Sequence, residues 1–94
     1  MQYKKKWRWY VYILECQDRF YYTGMTWSIS NRINQHIRGF GSKFTRKHGV
    51  KKLKFVAEFD DFEEARETER KFKNFSRKKK EGLFNCDVEL MNRE

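Results

Sequence analysis

A chain of 94 residues has room for one domain around one modest core, and 18% aromatic content compensates for an apolar fraction of only 38%. Its 22 lysines and arginines against 13 acidic residues leave a net charge of +9, which points to a polyanionic partner, nucleic acid first; a highly soluble basic protein without such a partner is the plain alternative. No stretch approaches the roughly 20 apolar residues of a membrane span, the basic runs lack a long apolar helix face beside them, and Cys16 and Cys86 stand far apart with no CxxC and no His–Cys cluster, which argues against structural zinc.

The segment "WYVYILECQDRFYYTG" (9–24) holds two runs of aromatic and β-branched residues joined by a polar break. Residues 8–16 and 20–26 are expected as strands of a hairpin. A three-residue loop, 17–19, pairs Cys16 with Phe20, sets Tyr12 opposite Gly24 and puts Tyr22 diagonally beside Tyr12 on one sheet face. A two-residue loop would put the two tyrosines on opposite faces. "SISNRINQHIRG" follows as a short amphipathic helix, with Ser28 as N-cap, Ile29, Ile33 and Ile37 as its apolar stripe and Gly39 as its stop. Arg32 and His36 sit one turn apart beside that stripe. "GFGSKFTRKHGVKK" reads as a basic loop, and "KLKFVAEFD" as a third strand, with Leu53, Phe55, Ala57 and Phe59 on one face.

"DDFEEARETERKFKNFSRKKK" (60–80) is expected to form one long helix, with Asp60 and Glu63 as a variant capping box. Its core-facing stripe would run Phe62, Ala65, Glu69, Phe72 and Ser76. Glu69 breaks the apolar pattern, and a carboxylate on a buried line is costly unless it is paired or opens into a cleft. A slightly rotated helix, with Phe75 replacing Ser76 on the stripe and Glu69 paired to Arg66 or Lys73, is the structural alternative. Residues 85–94 carry no clear pattern. The expected architecture is a small α/β domain, a three-stranded, mainly antiparallel sheet flanked by helices in the order β-β-α-β-α. Without proline, linker or repeat, the whole span 1–94 is expected to be one domain, with its core at about 8–80. The basic N-terminal segment lacks the apolar run and cleavage site of a signal peptide, so the expected location is cytoplasmic, with reduced cysteines.

"VYI" (11–13), "YTG" (22–24), Arg32, "GSKFTR" (41–46) and "EARETERKFKNFSR" (64–77) together resemble the GIY-YIG nuclease superfamily, particularly its small stand-alone members related to the nuclease domain of the DNA-repair protein UvrC. Val11 stands where the first motif has glycine, Thr23 where the second has isoleucine, and Met25 where several members have lysine. The asparagine found downstream of the glutamate in UvrC-type members has two candidates here, Asn74 and Asn85.

The resemblance implies a structure-selective endonuclease that hydrolyses phosphodiester bonds in DNA with Mg²⁺ or Mn²⁺. It places the catalytic residues at Tyr12, Tyr22, Arg32, His36 and Glu69. Glu69 would be the single protein ligand of the metal, since a hard cation takes oxygen donors and keeps several waters. Arg32 would clamp the scissile phosphate with its planar fork. Tyr22, or Tyr12 beside it, would take a proton from water, aided by positive charge from Arg32, His36 and the metal. Lys43, Arg46 and Lys47, with Lys51, Lys52 and Lys54 nearby, form one basic cluster; Lys73, Arg77, Lys78 and Lys79 belong to a second. Both suit phosphate contacts, which position a strand without reading its bases. The expected protein is a monomer, with a partner protein supplying substrate specificity; a binding module of the same fold without catalysis is the alternative, and a small basic accessory subunit that acts only with a partner domain is a third reading.

Overall fold

The computed structural model describes residues 8–90; the leading basic segment considered above as a signal peptide, and the last four residues, lie outside them. Two strands, β1 (Trp9–Cys16) and β2 (Tyr21–Thr26), form the expected hairpin, and Tyr12 stands opposite Gly24. The three-residue turn is closed by the Cys16 N–H donating to the Phe20 carbonyl at 2.8 Å. On the other side of β1 runs β3 (Val50–Phe59), antiparallel, with register shifts between Ile13 and Leu14 and between Glu15 and Cys16. Being central, β1 is buried on both faces: Val11 and Ile13 pack with Phe55 and Ala65, while Tyr12 and Leu14 pack with Val50. That double burial explains its unbroken aromatic and β-branched run.

The sheet has four strands, not three. A two-residue strand, β4 (Val88–Glu89), pairs with Lys52 and Leu53 and gives the order β2-β1-β3-β4. It is held less by apolar residues than by polar ones. Asn85 mimics a strand residue, accepting from the Val56 N–H at 3.2 Å and donating to the Val56 carbonyl at 2.9 Å. Asp87 bridges Lys54 and Lys52.

The helices differ from expectation in two places. The first, α1 (Ile29–Ile37), lies where its isoleucines predicted and covers the Tyr12 face of the sheet. The segment read as a basic loop contains a short helix, α2 (Lys43–His48), because Ser42 caps it by accepting from the Thr45 N–H, and Gly49, at φ +71°, ends it. The long helix is broken into α3 (Phe62–Lys73) and α4 (Arg77–Glu81). Asn74 ends α3 with its side chain on the Arg70 carbonyl, and Ser76 starts α4 by accepting from the Lys79 N–H. The cap of α3 is Asp61, accepting from the Glu64 N–H at 3.1 Å, rather than Asp60, which is bound by Arg8 at 2.8 Å. Buried Ala65 brings α3 close against the opposite sheet face, beside Trp9, Tyr21, Met25, Ala57, Phe59 and Phe72.

Candidate active site

The hairpin register puts Tyr12 across a residue that has no side chain. A Cβ on Gly24 would stand 2.4 Å from the Tyr12 hydroxyl oxygen, so the phenol lies over β2 where only glycine fits. Its hydroxyl is hydrogen-bonded to His36 Nε2 at 2.8 Å, and His36 Nδ1 to Thr45 Oγ1 at 2.7 Å. Thr45 in turn lies 3.0 Å from the Ser42 hydroxyl. Tyr12, His36 and Thr45 are all buried, so this chain ties β1, α1 and α2 together away from water. Gly41 backs it: a Cβ there would stand 2.2 Å from His36 Nδ1.

Burial, and after it the charge of Arg32, pushes His36 down to about 4. The imidazole is therefore neutral at physiological pH and cannot supply the positive charge expected of it, nor is it a solvated surface residue. With one ring proton, the chain has two possible polarities. Either Tyr12 donates to Nε2 and Nδ1–H donates to Thr45, or Thr45 donates to Nδ1 and Nε2–H donates to the Tyr12 oxygen.

Tyr22 projects from the same sheet face, half-buried, its ring 6.3 Å from that of Tyr12 and 5.0 Å from that of His36. Arg32, one turn before His36 and also half-buried, is oriented by Nε donating to Gln35 Oε1 at 3.0 Å. The Tyr12 phenol is held well above its usual range by burial first and by Tyr22 second; Glu69 adds to this, while the charge of Arg32 opposes it. Arg32 from α1 and Glu69 from α3 thus both act electrostatically on the hydroxyl of Tyr12.

Glu69 occupies the expected gap in the apolar face of α3, between buried Ala65 and half-buried Phe72, with its side chain 21% exposed. Ser76, expected on that stripe, instead caps the next helix. Glu69 opens onto a depression of about 210 Å³ shared with Arg66, Arg70 and Lys73, and pairs with Lys73 Nζ at 3.4 Å. Among the described residues no three His, Cys, Asp or Glu side chains come together as a metal cluster. The partly exposed carboxylate is an oxygen donor that a hard divalent ion can use, while the cations around it oppose a bare ion and suit a phosphate.

Lys43, Arg46 and Lys47 are exposed on α2, and Lys73 and Lys78 on the α3–α4 side. Lys79 lies 4.4 Å from the Phe75 ring, and Arg77 lies 4.2 Å from the Tyr21 ring while donating to the Arg19 carbonyl at 2.6 Å. Lys52 and Lys54, grouped by sequence with the first cluster, are tied to Asp87 at the far edge of the sheet. The three departures from the motifs serve the interior: Val11 is core, Met25 packs against that core, and Thr23 is buried with its hydroxyl unpartnered. Asn74 and Asn85 both have structural partners, as described. Sequence reasoning gave Thr45 and Gly41 no role of their own, although both lie in the quoted "GSKFTR" stretch.

A hairpin that lays tyrosine over glycine, followed by an arginine helix and a glutamate helix, defines a class of protein. Residues 8–82 match the GIY-YIG catalytic domain, and the chain belongs to that family. It is 46% identical over 74 residues to the UPF0213 protein BH0048 of Halalkalibacterium halodurans, with 79% of each chain covered. It is 40% identical over 75 residues to the UPF0213 protein VNG_2274C of Halobacterium salinarum, covering 80% of this chain and 97% of that one. The solution NMR structure of the UPF0213 protein BH0048 from Bacillus halodurans matches with a TM-score of 0.52 at 44% identity, over 81% of each chain.

Proposed function

We propose that the protein is a divalent-metal-dependent endonuclease that hydrolyses phosphodiester bonds in DNA. The observation that carries this is the carboxylate of Glu69, set in an otherwise apolar helix face, in a fold whose hairpin lays Tyr12 over Gly24 and whose α1 sets Arg32 one turn before the Tyr12-bonded His36. Mg²⁺ or Mn²⁺ bound at Glu69 would supply charge neutralisation on the phosphoryl oxygens. Tyr12, buried and with its proton held tightly, is a hydrogen-bond donor and not a base. Tyr22, half-buried beside it and acting as the phenolate, would take the proton of the attacking water as the new P–O bond forms and the bond to the leaving oxygen breaks, that oxygen taking its proton from solvent. Arg32 stabilises the charge on the phosphoryl group, for which its bidentate fork is suited. His36, buried, would act by positioning Tyr12.

Lys43, Arg46 and Lys47 on one side and Lys73, Arg77, Lys78 and Lys79 on the other would hold the strand by its phosphates, so selectivity would be for DNA structure rather than sequence. Among the described residues no helix is long and apolar enough to cross a membrane. A cytoplasmic, monomeric protein acting in DNA repair, with a partner choosing its substrate, fits these properties.

One observation favours a second reading, a nucleic-acid-binding module without hydrolysis: Glu69 is already paired with Lys73. Incubation with branched, nicked and single-stranded DNA tests the two. The nuclease cuts at least one of them with Mg²⁺ or Mn²⁺ and none with EDTA; binding to these substrates without cutting under any condition identifies the module.

A further inference from the structure

The aromatic surface continues beyond Tyr22. Phe44 on α2 has its ring centre 5.9 Å from that of Tyr22, and Phe20, at the start of the second hairpin strand, lies 6.2 Å from Phe44. Phe20 is 53% exposed and Phe44 37%. Phe20 is also the rim of a cavity of about 240 Å³ lined with Tyr21, Phe75, Arg77 and Lys80. The cavity joins aromatic walls to cationic ones. The acidic residue that touches its lining, Glu81, is occupied: it accepts from the Tyr21 hydroxyl at 2.7 Å and lies 3.4 Å from Arg77 Nε. Among the described residues no carboxylate lies within ion-pair distance of Lys80.

Exposed rings beside a cation without a carboxylate partner, here Lys80, are what an unpaired nucleotide recognises: the ring face takes the base and the cation takes the phosphate. Bases inside a duplex are stacked on each other and have no face to offer. We propose that Phe44, Phe20 and this cavity seat an unpaired nucleotide of the strand held at Tyr22, with its base against Phe20 and its phosphate against Lys80 and Arg77. The proposal rests on the nuclease reading for the position of the scissile phosphate, and it gives that reading a substrate class: DNA with at least one unpaired nucleotide beside the cleaved bond. The competing explanation is packing alone, since Phe20 and Phe44 also lie against His48, at 4.8 and 4.3 Å, and could simply hold α2 to the hairpin.

The test reads binding in EDTA, so a catalytically silent chain still answers it. A single-stranded oligonucleotide carrying 2-aminopurine is titrated with wild type, Phe20→Leu, Phe44→Leu and Lys80→Gln, beside a blunt duplex of equal length. Leucine keeps the apolar packing and removes the ring face, and circular dichroism checks that each variant is folded. The expected result is quenching of 2-aminopurine by wild type, and loss of that quenching with about tenfold weaker single-strand binding in Phe20→Leu. Duplex binding should stay within about twofold, and Lys80→Gln should lower the salt slope by about one phosphate. Leucine variants that bind and quench like wild type, or that weaken duplex and single strand equally, overturn the proposal and leave the nuclease reading standing. No binding of either probe at low salt overturns both.

Discussion

At the scale of single residues the interior of the site is held neutral. His36 is pushed down to about 4 in the fold against 6.5 unperturbed, so between those values the unfolded chain takes up a proton that the folded chain refuses. Stability from this group is fully present above about pH 6.5 and is lost as pH falls toward 4, by up to about 3 kcal/mol. Denaturant titrations at several pH values should show that slope, and it should be absent in His36→Gln. The two tyrosines should separate by readout. Tyr12→Phe leaves His36 Nε2 buried without its partner and should cost about 1–3 kcal/mol of stability. Tyr22→Phe should leave the melting temperature nearly unchanged and remove cleavage. If Tyr12→Phe kept full stability, or Tyr22→Phe kept full activity, the division of labour would be wrong. Much at this scale was legible: the spacing of the hairpin put Tyr12 over Gly24, and Glu69 stood out as a carboxylate in an apolar stripe. The burial of His36 was not legible, because its partner Thr45 lies nine residues on, in a segment whose lysines suggest solvent.

At the scale of elements, short polar residues decided what periodicity could not. An uninterrupted run of helix formers from 60 to 80 reads as one helix, yet Asn74 and Ser76 supply a stop and a start within three residues. β4 is two residues long and held by Asn85 and Asp87, so no alternation of apolar residues announces it. β1, β2, most of β3 and α1, whose apolar residues pack into the clusters on the two sheet faces, were legible. The link between α1 and α2 depends on bare backbone at Gly41, where an added Cβ would meet the His36 ring at 2.2 Å. Gly41→Ala should therefore displace the ring, break the bonds to Tyr12 and Thr45, and destabilise the fold by about 1–3 kcal/mol. Thermal melts would check this, and a melting temperature equal to wild type would show that the loop yields instead.

For the whole molecule, the chain carries an excess of nine positive charges, and exposed cations crowd α2, the end of α3 and α4, while Lys52 and Lys54 share the Asp87 carboxylate at the opposite edge. Binding to DNA should weaken steeply with salt, since each phosphate contact releases counterions. Replacing Lys43 and Lys47 by glutamine should flatten that dependence by about two phosphates, whereas replacing Lys52 and Lys54 should barely change it; equal effects would place the track elsewhere. The central claim is that Glu69 serves chemistry rather than helix pairing. Cleavage and binding by Glu69→Gln, measured side by side with wild type in Mg²⁺, address it most directly. Glutamine keeps the size and hydrogen bonding of glutamate but removes the charge a hard metal requires, so cleavage should fall by at least about 10²-fold while DNA binding is unchanged or slightly tighter. A Glu69→Gln protein that cuts as fast as wild type would contradict the account.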